Sequence, residues 1–554
     1  MLFQTPEFLV LFAVVALAIV FVKDLRWQHG VLLVASLIFY GWWDVRFLVL
    51  LIASTALDYI AARGVAGHAF SWRSHWNAAL WLAVSGIVLM WPNWPLMQLQ
   101  QQWDAWPQLL TSHWTGMHAA VVACLTGAII WPLLARWFYT LSEVNRRRGF
   151  LIASMATNLG MLAFFKYYGF FVDNMRGIGT WLGYSWNPPL LNVALPVGIS
   201  FYTFQTMSYT IDVYRGHEPA EKSLGRVALF VAYFPQLVAG PILRPGQFMP
   251  KLDQPWTLES GRYLSGFHLA LVGLVKKVLI ADSMARLVDI LLGSPDGRPS
   301  LMIMLGALLF AVQIYCDFSG YTDIARGVSR ILGVEIPLNF AHPYFSTSVV
   351  EFWRRWHISL STWLRDYLYI PLGGNRGSTL RTYFNLMVTM VLGGLWHGAA
   401  WNFVIWGAYQ GALLCANRLL REWIAPTSRL ALLCEHPLGC LVRWSATLYL
   451  TLLGWLIFRV NSAENLWYAV KKFIVFDGRW ELFGLGAGVG APFTALLALL
   501  VFVVLHAYGH FFRRWPEQLD VLPRPLLFGL YALLGALLFY GWPTHQEPFI
   551  YFQF

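Results

Sequence analysis

The sequence predicts an all-α protein that crosses a membrane many times. Of its 554 residues, 58% are hydrophobic and only 12% are charged, and the mean hydropathy is +0.54. Soluble domains carry about 25% charged residues, so the composition excludes an ordinary soluble protein. Apolar segments recur at lengths near the ~20 residues that a spanning helix needs. We therefore expect about 11 to 14 spans, together with re-entrant or interfacial helices.

A single polytopic domain over residues 1–554 is expected, because no internal repeat and no long linker divides the chain. Residues 1–190 would form N-terminal helices, residues 195–420 a candidate catalytic core, and residues 440–554 C-terminal helices. Basic residues follow alternate spans of the first third, whereas loop 91–118 contains no Lys or Arg. This alternation predicts that the basic loops are cytoplasmic and that loop 91–118 is outside.

The formal net charge of +11 does not predict a nucleic-acid partner. The basic residues lie in loops between apolar segments, where membrane topology and anionic lipid headgroups account for them. The five cysteines are an odd number without a CxxC pair. We expect no disulfide and no metal site.

His397 ends a nearly uncharged apolar run that begins after Arg381. Ionisable groups at membrane depth cost free energy and usually mark a site or a pathway. Imidazole titrates near neutral pH, which suits proton transfer during acyl transfer. His357 is the second candidate catalytic residue, and for both a buried structural histidine is the alternative. Asn402, five residues beyond His397, is placed to donate a hydrogen bond nearby.

Residues 348–370 surround His357 and, drawn as one helix, carry two stripes. The aromatic and apolar stripe contains Trp353, Trp356, Leu360, Trp363 and Tyr367. The polar stripe contains Arg354, His357, Ser361 and Arg365. Glu351 and Arg355 are spaced to form an ion pair. The pattern predicts a helix with one buried face and one basic face.

Two interpretations of this basic face remain open. An interfacial helix with arginines that reach the headgroups is one. In the other, Arg354, Arg355 and Arg365 bind the phosphates of a donor such as coenzyme A. A glycine-rich turn at 373–377 adds Arg376 to the candidate donor-binding residues.

Charged residues also occur in other apolar segments. Asp323 and Arg326 are three residues apart and are expected to form a structural ion pair. Lys276 and Lys277 interrupt another apolar run and are expected to mark a cytoplasmic boundary.

Several strings, taken in order, resemble the membrane-bound O-acyltransferase (MBOAT) family. They are PVGISFYTF at 196–204, DFSGYTD at 317–323, residues 352–367 and GGLWHG at 393–398. The ending PFIYFQF at 548–554 resembles its bacterial alginate and polysaccharide O-acetylation branch. The added region 91–140 departs from the plan of that branch.

The resemblance implies a helical fold that encloses a tunnel through the membrane. A near-invariant histidine of the family, deep in this tunnel, falls on His397. A second polar position, histidine in this branch and Asn or Asp in others, falls on His357.

The implied function is O-acetylation of an exported, alginate-like polysaccharide. Acetyl groups would pass from cytoplasmic acetyl-CoA across the cell inner membrane to periplasmic acetyltransferase partner proteins, without a permanently bound cofactor. Two alternatives are D-alanyl transfer to teichoic acid and a membrane transporter or proton pathway.

Overall fold

The computed structural model describes residues 1–89, 114–184, 195–256, 260–424, 429–479, 490–512, 522–542 and 549–550. The regular elements in these ranges are all helical, and they include no strand. The predicted all-α fold is therefore confirmed. Residues 91–113 of the predicted outside loop, and most of the string at 548–554, lie outside the described residues.

The helices fall into two compact units. Residues 1–258 and 332–334 form the first unit. Its helices are α1 (Pro6–Phe21), α2 (Leu25–Gly41), α3 (Val45–Val65), α4 (Trp72–Leu89), α5 (Trp114–Thr140), α6 (Glu143–Leu162), α7 (Tyr168–Trp181), α8 (Ile199–Arg215), α9 (Leu224–Ala232) and α10 (Pro245–Phe248).

Residues 259–331 and 335–554 form the second unit. Its helices are α11 (Ser260–Leu274), α12 (Asp282–Leu292), α13 (Ser300–Ile331), α14 (Val349–Arg355), α15 (Ile358–Leu364), α16 (Thr379–His397), α17 (Trp401–Trp423), α18 (Arg429–Glu435), α19 (Pro437–Arg459), α20 (Ala463–Ile474), α21 (Gly490–Phe511) and α22 (Arg524–Gly541). The expectation of a single domain stays a prediction.

Seven helical segments of the described chain are long and apolar enough to cross a bilayer. They are Val45–Val65, Glu143–Trp181, Gly261–Leu292, Ser300–Ile331, Pro437–Arg459, Pro492–Phe511 and Arg524–Gly541. Helix α1 is apolar but has only 16 residues. The multi-pass architecture is thus confirmed, while the total of about 11 to 14 spans stays a prediction.

A buried polar cluster joins three helices of the first unit. The Asp58 carboxylate of α3 accepts hydrogen bonds from Ser154 Oγ at 2.5 Å and from Asn158 Nδ2 at 2.8 Å. Thr206 Oγ1 of α8 donates to the Asn158 side chain at 3.0 Å. Because a buried polar group without a partner is costly, these contacts fix α3, α6 and α8 in one arrangement.

Close glycine contacts join α11 to α13 in the second unit. A Cβ atom on Gly266 would stand 2.7 Å from the Gly327 carbonyl oxygen, and one on Gly273 would stand 2.5 Å from that of Gly320. Both pairs are seven residues apart on their helices, which therefore run antiparallel. Small residues at such positions allow membrane helices to approach closely.

Two adjacent lysines lie in the π-helical segment Val275–Ala281, between α11 and α12. Lys277 Nζ is 2.8 Å from a carboxylate oxygen of Asp282 and 2.8 Å from one of Asp317. The three side chains are 4–7% exposed. Lys276 Nζ is 2.6 Å from Asp323 Oδ2.

The two expectations for these charges have different outcomes. Asp323 Oδ1 lies 3.6 Å from Arg326 Nη1, so their predicted ion pair is confirmed. The expectation that Lys276 and Lys277 mark a cytoplasmic boundary stays a prediction. Both lie near the middle of the apolar segment Gly261–Leu292, where aspartates of α12 and α13 balance their charges.

Candidate active site

His397 is the last residue of α16 and lies among aromatic rings. Helix α16 begins after Ser378, whose hydroxyl accepts a hydrogen bond from the Arg381 amide. At the other end the imidazole is 5% exposed. Its ring centroid lies 5.1 Å from that of Trp406 and 5.5 Å from that of Phe458. The structure therefore places His397 in a buried apolar setting, as the sequence predicts.

Close packing of α16 on α17 positions His397. A Cβ atom on Gly394 would stand 2.3 Å from the Phe403 carbonyl oxygen, and one on Gly407 would stand 2.4 Å from that of Met390. The two helices can approach this closely only because both positions lack a side chain.

Asn402 supports the site through the backbone of α19. Its Nδ2 donates to the Phe458 carbonyl oxygen at 2.9 Å and to Asn461 Oδ1 at 3.3 Å. The Phe458 ring packs against His397. Asn402 thus donates a hydrogen bond near His397, as predicted. The bond holds the backbone of Phe458, whose ring flanks the imidazole.

His357 lies at a break between α14 and α15, and its φ of +41° is in the left-handed region. The expectation that residues 348–370 form one continuous helix is therefore wrong. The Ile358 amide donates to the Asn339 carbonyl oxygen at 2.9 Å, and this long-range contact replaces a helical hydrogen bond. A positive φ is uncommon in residues other than glycine because the conformation is strained. The surrounding structure must therefore hold His357 in it.

The two predicted stripes have different outcomes because of this break. In the apolar stripe, Trp356, Leu360, Trp363 and Tyr367 are buried, as predicted, and Trp353 is half-buried. The polar stripe does not form one face. His357 is completely buried, whereas Arg354 and Arg365 are exposed.

Asn339 fixes the orientation of the His357 ring. Its Oδ1 accepts from the Ser359 amide at 3.1 Å and lies 3.3 Å from His357 Nδ1. Because an amide oxygen only accepts, His357 Nδ1 must carry the hydrogen, and Nε2 of the neutral ring is then an acceptor. Burial lowers the pKa of His357 to about 3, so the ring is neutral at physiological pH.

Trp396 brings the two histidines into one site. Its ring centroid is 5.0 Å from that of His397 and 6.2 Å from that of His357. Phe318, from the DFSGYTD string, packs edge-on against His357 at 4.7 Å. Two imidazoles in contact with one indole, enclosed by apolar side chains, form a site suited to proton transfer away from bulk water. The tunnel that would lead reactants to it stays a prediction.

The four candidate donor-binding arginines differ in their partners. Arg355 Nη2 is 2.6 Å from Glu351 Oε1, which confirms the predicted pair. Arg365 Nε is 2.6 Å from Asp366 Oδ1. Arg354 and Arg376 are exposed and form no ion pair with any other residue that the structure describes. These two therefore keep an unbalanced positive charge.

The glycine-rich turn forms where it is expected. Gly373, Gly374 and Gly377 all have positive φ, and Asn385 Nδ2 of α16 donates to the Gly374 carbonyl oxygen at 3.1 Å. The hydrogen bond attaches the turn, and Arg376 within it, to the helix that ends at His397.

Asn339 is the functional residue that the sequence analysis misses. It precedes His357 by 18 residues in a segment without a motif, so no signal in the sequence links the two. Only the folded chain brings its side chain to the imidazole.

Comparison with known proteins connects this geometry to an enzyme family. The model of the membrane-bound O-acyltransferase family, MBOAT, matches residues 217–458, which include both histidines and all four arginines.

Two alginate O-acetylases are similar over most of the chain. The probable alginate O-acetylase AlgI of Azotobacter vinelandii is 36% identical over 92% of this chain and 85% of its own length. The protein of the same name from Pseudomonas putida is 34% identical over the whole of both chains. The peptidoglycan O-acetyltransferase of Helicobacter pylori is 33% identical over 60% of this chain and 66% of its own length.

Proposed function

Because the chain belongs to the membrane-bound O-acyltransferase family and is an acyltransferase, we propose that it transfers acetyl groups from cytoplasmic acetyl-CoA across the inner membrane. The final acceptor is an exported, alginate-like polysaccharide. The observation that supports the proposal most strongly is the contact of His357 and His397 with the same indole. Relatives named as alginate O-acetylases support the acetyl group and the polymer.

In this proposal His397 is the general base. An acceptor hydroxyl attacks the thioester carbonyl carbon of acetyl-CoA, and His397 takes the hydroxyl proton as the new C–O bond forms. The C–S bond then breaks, and protonated His397 returns the proton to the departing thiolate, so that coenzyme A leaves as the thiol and the imidazole is neutral again. General-base catalysis of this kind contributes about 10² to 10⁴ in rate.

His357 has an orienting role in the proposal. With the hydrogen on Nδ1 held towards Asn339, Nε2 offers a lone pair and can accept a hydrogen bond from a reactant. A lone pair cannot donate to a developing oxyanion, so this tautomer favours positioning over oxyanion stabilisation. Periplasmic acetyltransferase partners then place the acetyl group on the sugar.

Donor binding depends on the arginines whose charges are unbalanced. We expect Arg354→Gln and Arg376→Gln each to raise the KM for acetyl-CoA about tenfold or more, because hydrogen bonds to charged groups contribute about 1.5–3 kcal/mol. Arg365→Gln is the matched control, since Asp366 already balances its charge. KM is measured with the full chain in membranes, and equal effects of all three variants would contradict this assignment.

Labelled acetate tests the proposed reaction itself. Cells that express the full chain with its partners should incorporate label into the exported polymer, and depletion of the acetyl-CoA supply should abolish the incorporation. Labelled D-alanine provides the comparison for D-alanyl transfer. Polymer that acquires D-alanine and no acetyl group would contradict the proposal. Acetylation that persists unchanged in a strain lacking the protein would also contradict it.

A further inference from the structure

A cavity of about 220 Å³ lies between helices of the second unit. Its walls come from α11 and the π-helical segment after it, α13, the residue His342, α21 and α22. Neither His357 nor His397 lines it. The proposed acetyl transfer therefore does not account for this cavity.

Most of the cavity wall is hydrocarbon. Leu271, Phe502, Leu530 and Leu534 contribute to it, each from a segment that is long and apolar enough to cross a bilayer. An apolar cavity of 150 Å³ is large enough to bind benzene, so this volume accommodates part of an aliphatic chain. Its position within the spanning segments favours an occupant that partitions into the membrane.

One end of the cavity is polar and carries two imidazoles. His506 is 6% exposed, and its ring centroid is 5.1 Å from that of His342. His506 Nε2 and His342 Nδ1 are buried and have no hydrogen-bond partner among the described residues. A buried polar atom without a partner costs about 1–3 kcal/mol. An occupant that offers oxygen atoms at this end would remove that cost.

Lys276 gives the same end a positive charge. It lines the cavity and forms an ion pair with Asp323, but Asp323 also faces Arg326. Two cations therefore share one carboxylate. An occupant with a negatively charged oxygen-bearing end would complete the balance, and water alone would leave the apolar wall uncovered.

From the apolar wall, the two unpartnered imidazole nitrogens and the shared cation, we propose that the cavity binds a fatty acid. The hydrocarbon chain lies between α11, α21 and α22, and the carboxylate faces His342, His506 and Lys276. The site is separate from the candidate active site. Tyr315 lines the cavity, and its ring contacts both His506 and Trp356, the residue that precedes His357.

The test uses the full chain in lipid nanodiscs and a photoreactive decanoic acid as the probe. We expect ultraviolet crosslinking to label residues of α11, α21 or α22, and unlabelled decanoate to prevent it. Leu534→Trp, which fills the cavity, should reduce labelling at least tenfold. Leu533→Trp is the matched control, because Leu533 is 56% exposed on the same helix and should label as the unaltered protein does.

His506→Phe tests the polar end without removing the ring. It should weaken competition by decanoate at least threefold and competition by decanol less, because a carboxylate accepts a stronger hydrogen bond from an imidazole N–H than a hydroxyl does. Equal labelling of the Leu534→Trp and Leu533→Trp proteins would overturn the cavity as the site. Equal competition by decanol and decanoate in the unaltered protein would overturn the role of the carboxylate.

Discussion

His397→Ala should lower the rate of acetyl transfer by about two to four orders of magnitude, because it removes the proposed general base. The loss should appear in kcat, since the donor phosphates are expected at exposed arginines and not at this buried ring. The measurement is incorporation of labelled acetyl groups into the polymer by membranes that contain equal amounts of each protein.

A second substitution separates chemistry from folding. Alanine leaves a space between Trp406 and Phe458, whereas His397→Gln fills more of it and retains a hydrogen-bonding side chain. Glutamine cannot take up a proton at neutral pH, so its activity should also be lost. Thermal unfolding in detergent reports whether both proteins fold. A folded His397→Gln protein with the activity of the unaltered chain would refute the proposed role.

Lys277→Met should destabilise the second unit by about 3–5 kcal/mol, which is the usual cost of removing one partner from a buried ion pair. Asp282 and Asp317 would lose their shared cation in a setting where each is at most 7% exposed. Asp317 also accepts a hydrogen bond from the Ile550 amide at 2.7 Å, so its displacement would disturb the contact with the C-terminal segment. The unfolding temperature in detergent measures the effect.

Matched variants show whether the buried charge is the cause. Lys471→Met, at an exposed position of α20, should leave the unfolding temperature unchanged. Replacing Asp282 and Asp317 by asparagine in the Lys277→Met background should restore most of the loss, because neutral amides need no cation. If the triple variant were as unstable as Lys277→Met, loss of side-chain packing would explain the result better than charge.

The helical architecture can be predicted from the sequence because apolar segments of spanning length leave little alternative in a bilayer. The local course of residues 348–370 cannot. That segment contains no glycine or proline that would predict a break, and the spacing of its apolar and polar residues is typical of a continuous helix. The break at His357 arises from hydrogen bonds to Asn339, which only the tertiary structure supplies.

The charges within apolar segments show a related limit. Asp323 and Arg326 are close in sequence, and helical spacing is sufficient to predict their contact. The partners of Lys277 lie on α12 and on α13, and Asp317 is 40 residues away. When those partners are not known, two lysines in an apolar run indicate the end of a membrane-spanning segment. The folded chain places them inside the helix packing.

The conformation at His357 restricts which amino acids position 357 can hold. Outside glycine, histidine, asparagine and aspartate are the residues most enriched at positive φ, and β-branched or bulky side chains are strongly disfavoured there. These are the three residue types that the family resemblance associates with this position. Backbone geometry, and not reactivity alone, thus offers a reason for that choice. The break between α14 and α15 accepts only a few residue types, and these are short polar ones.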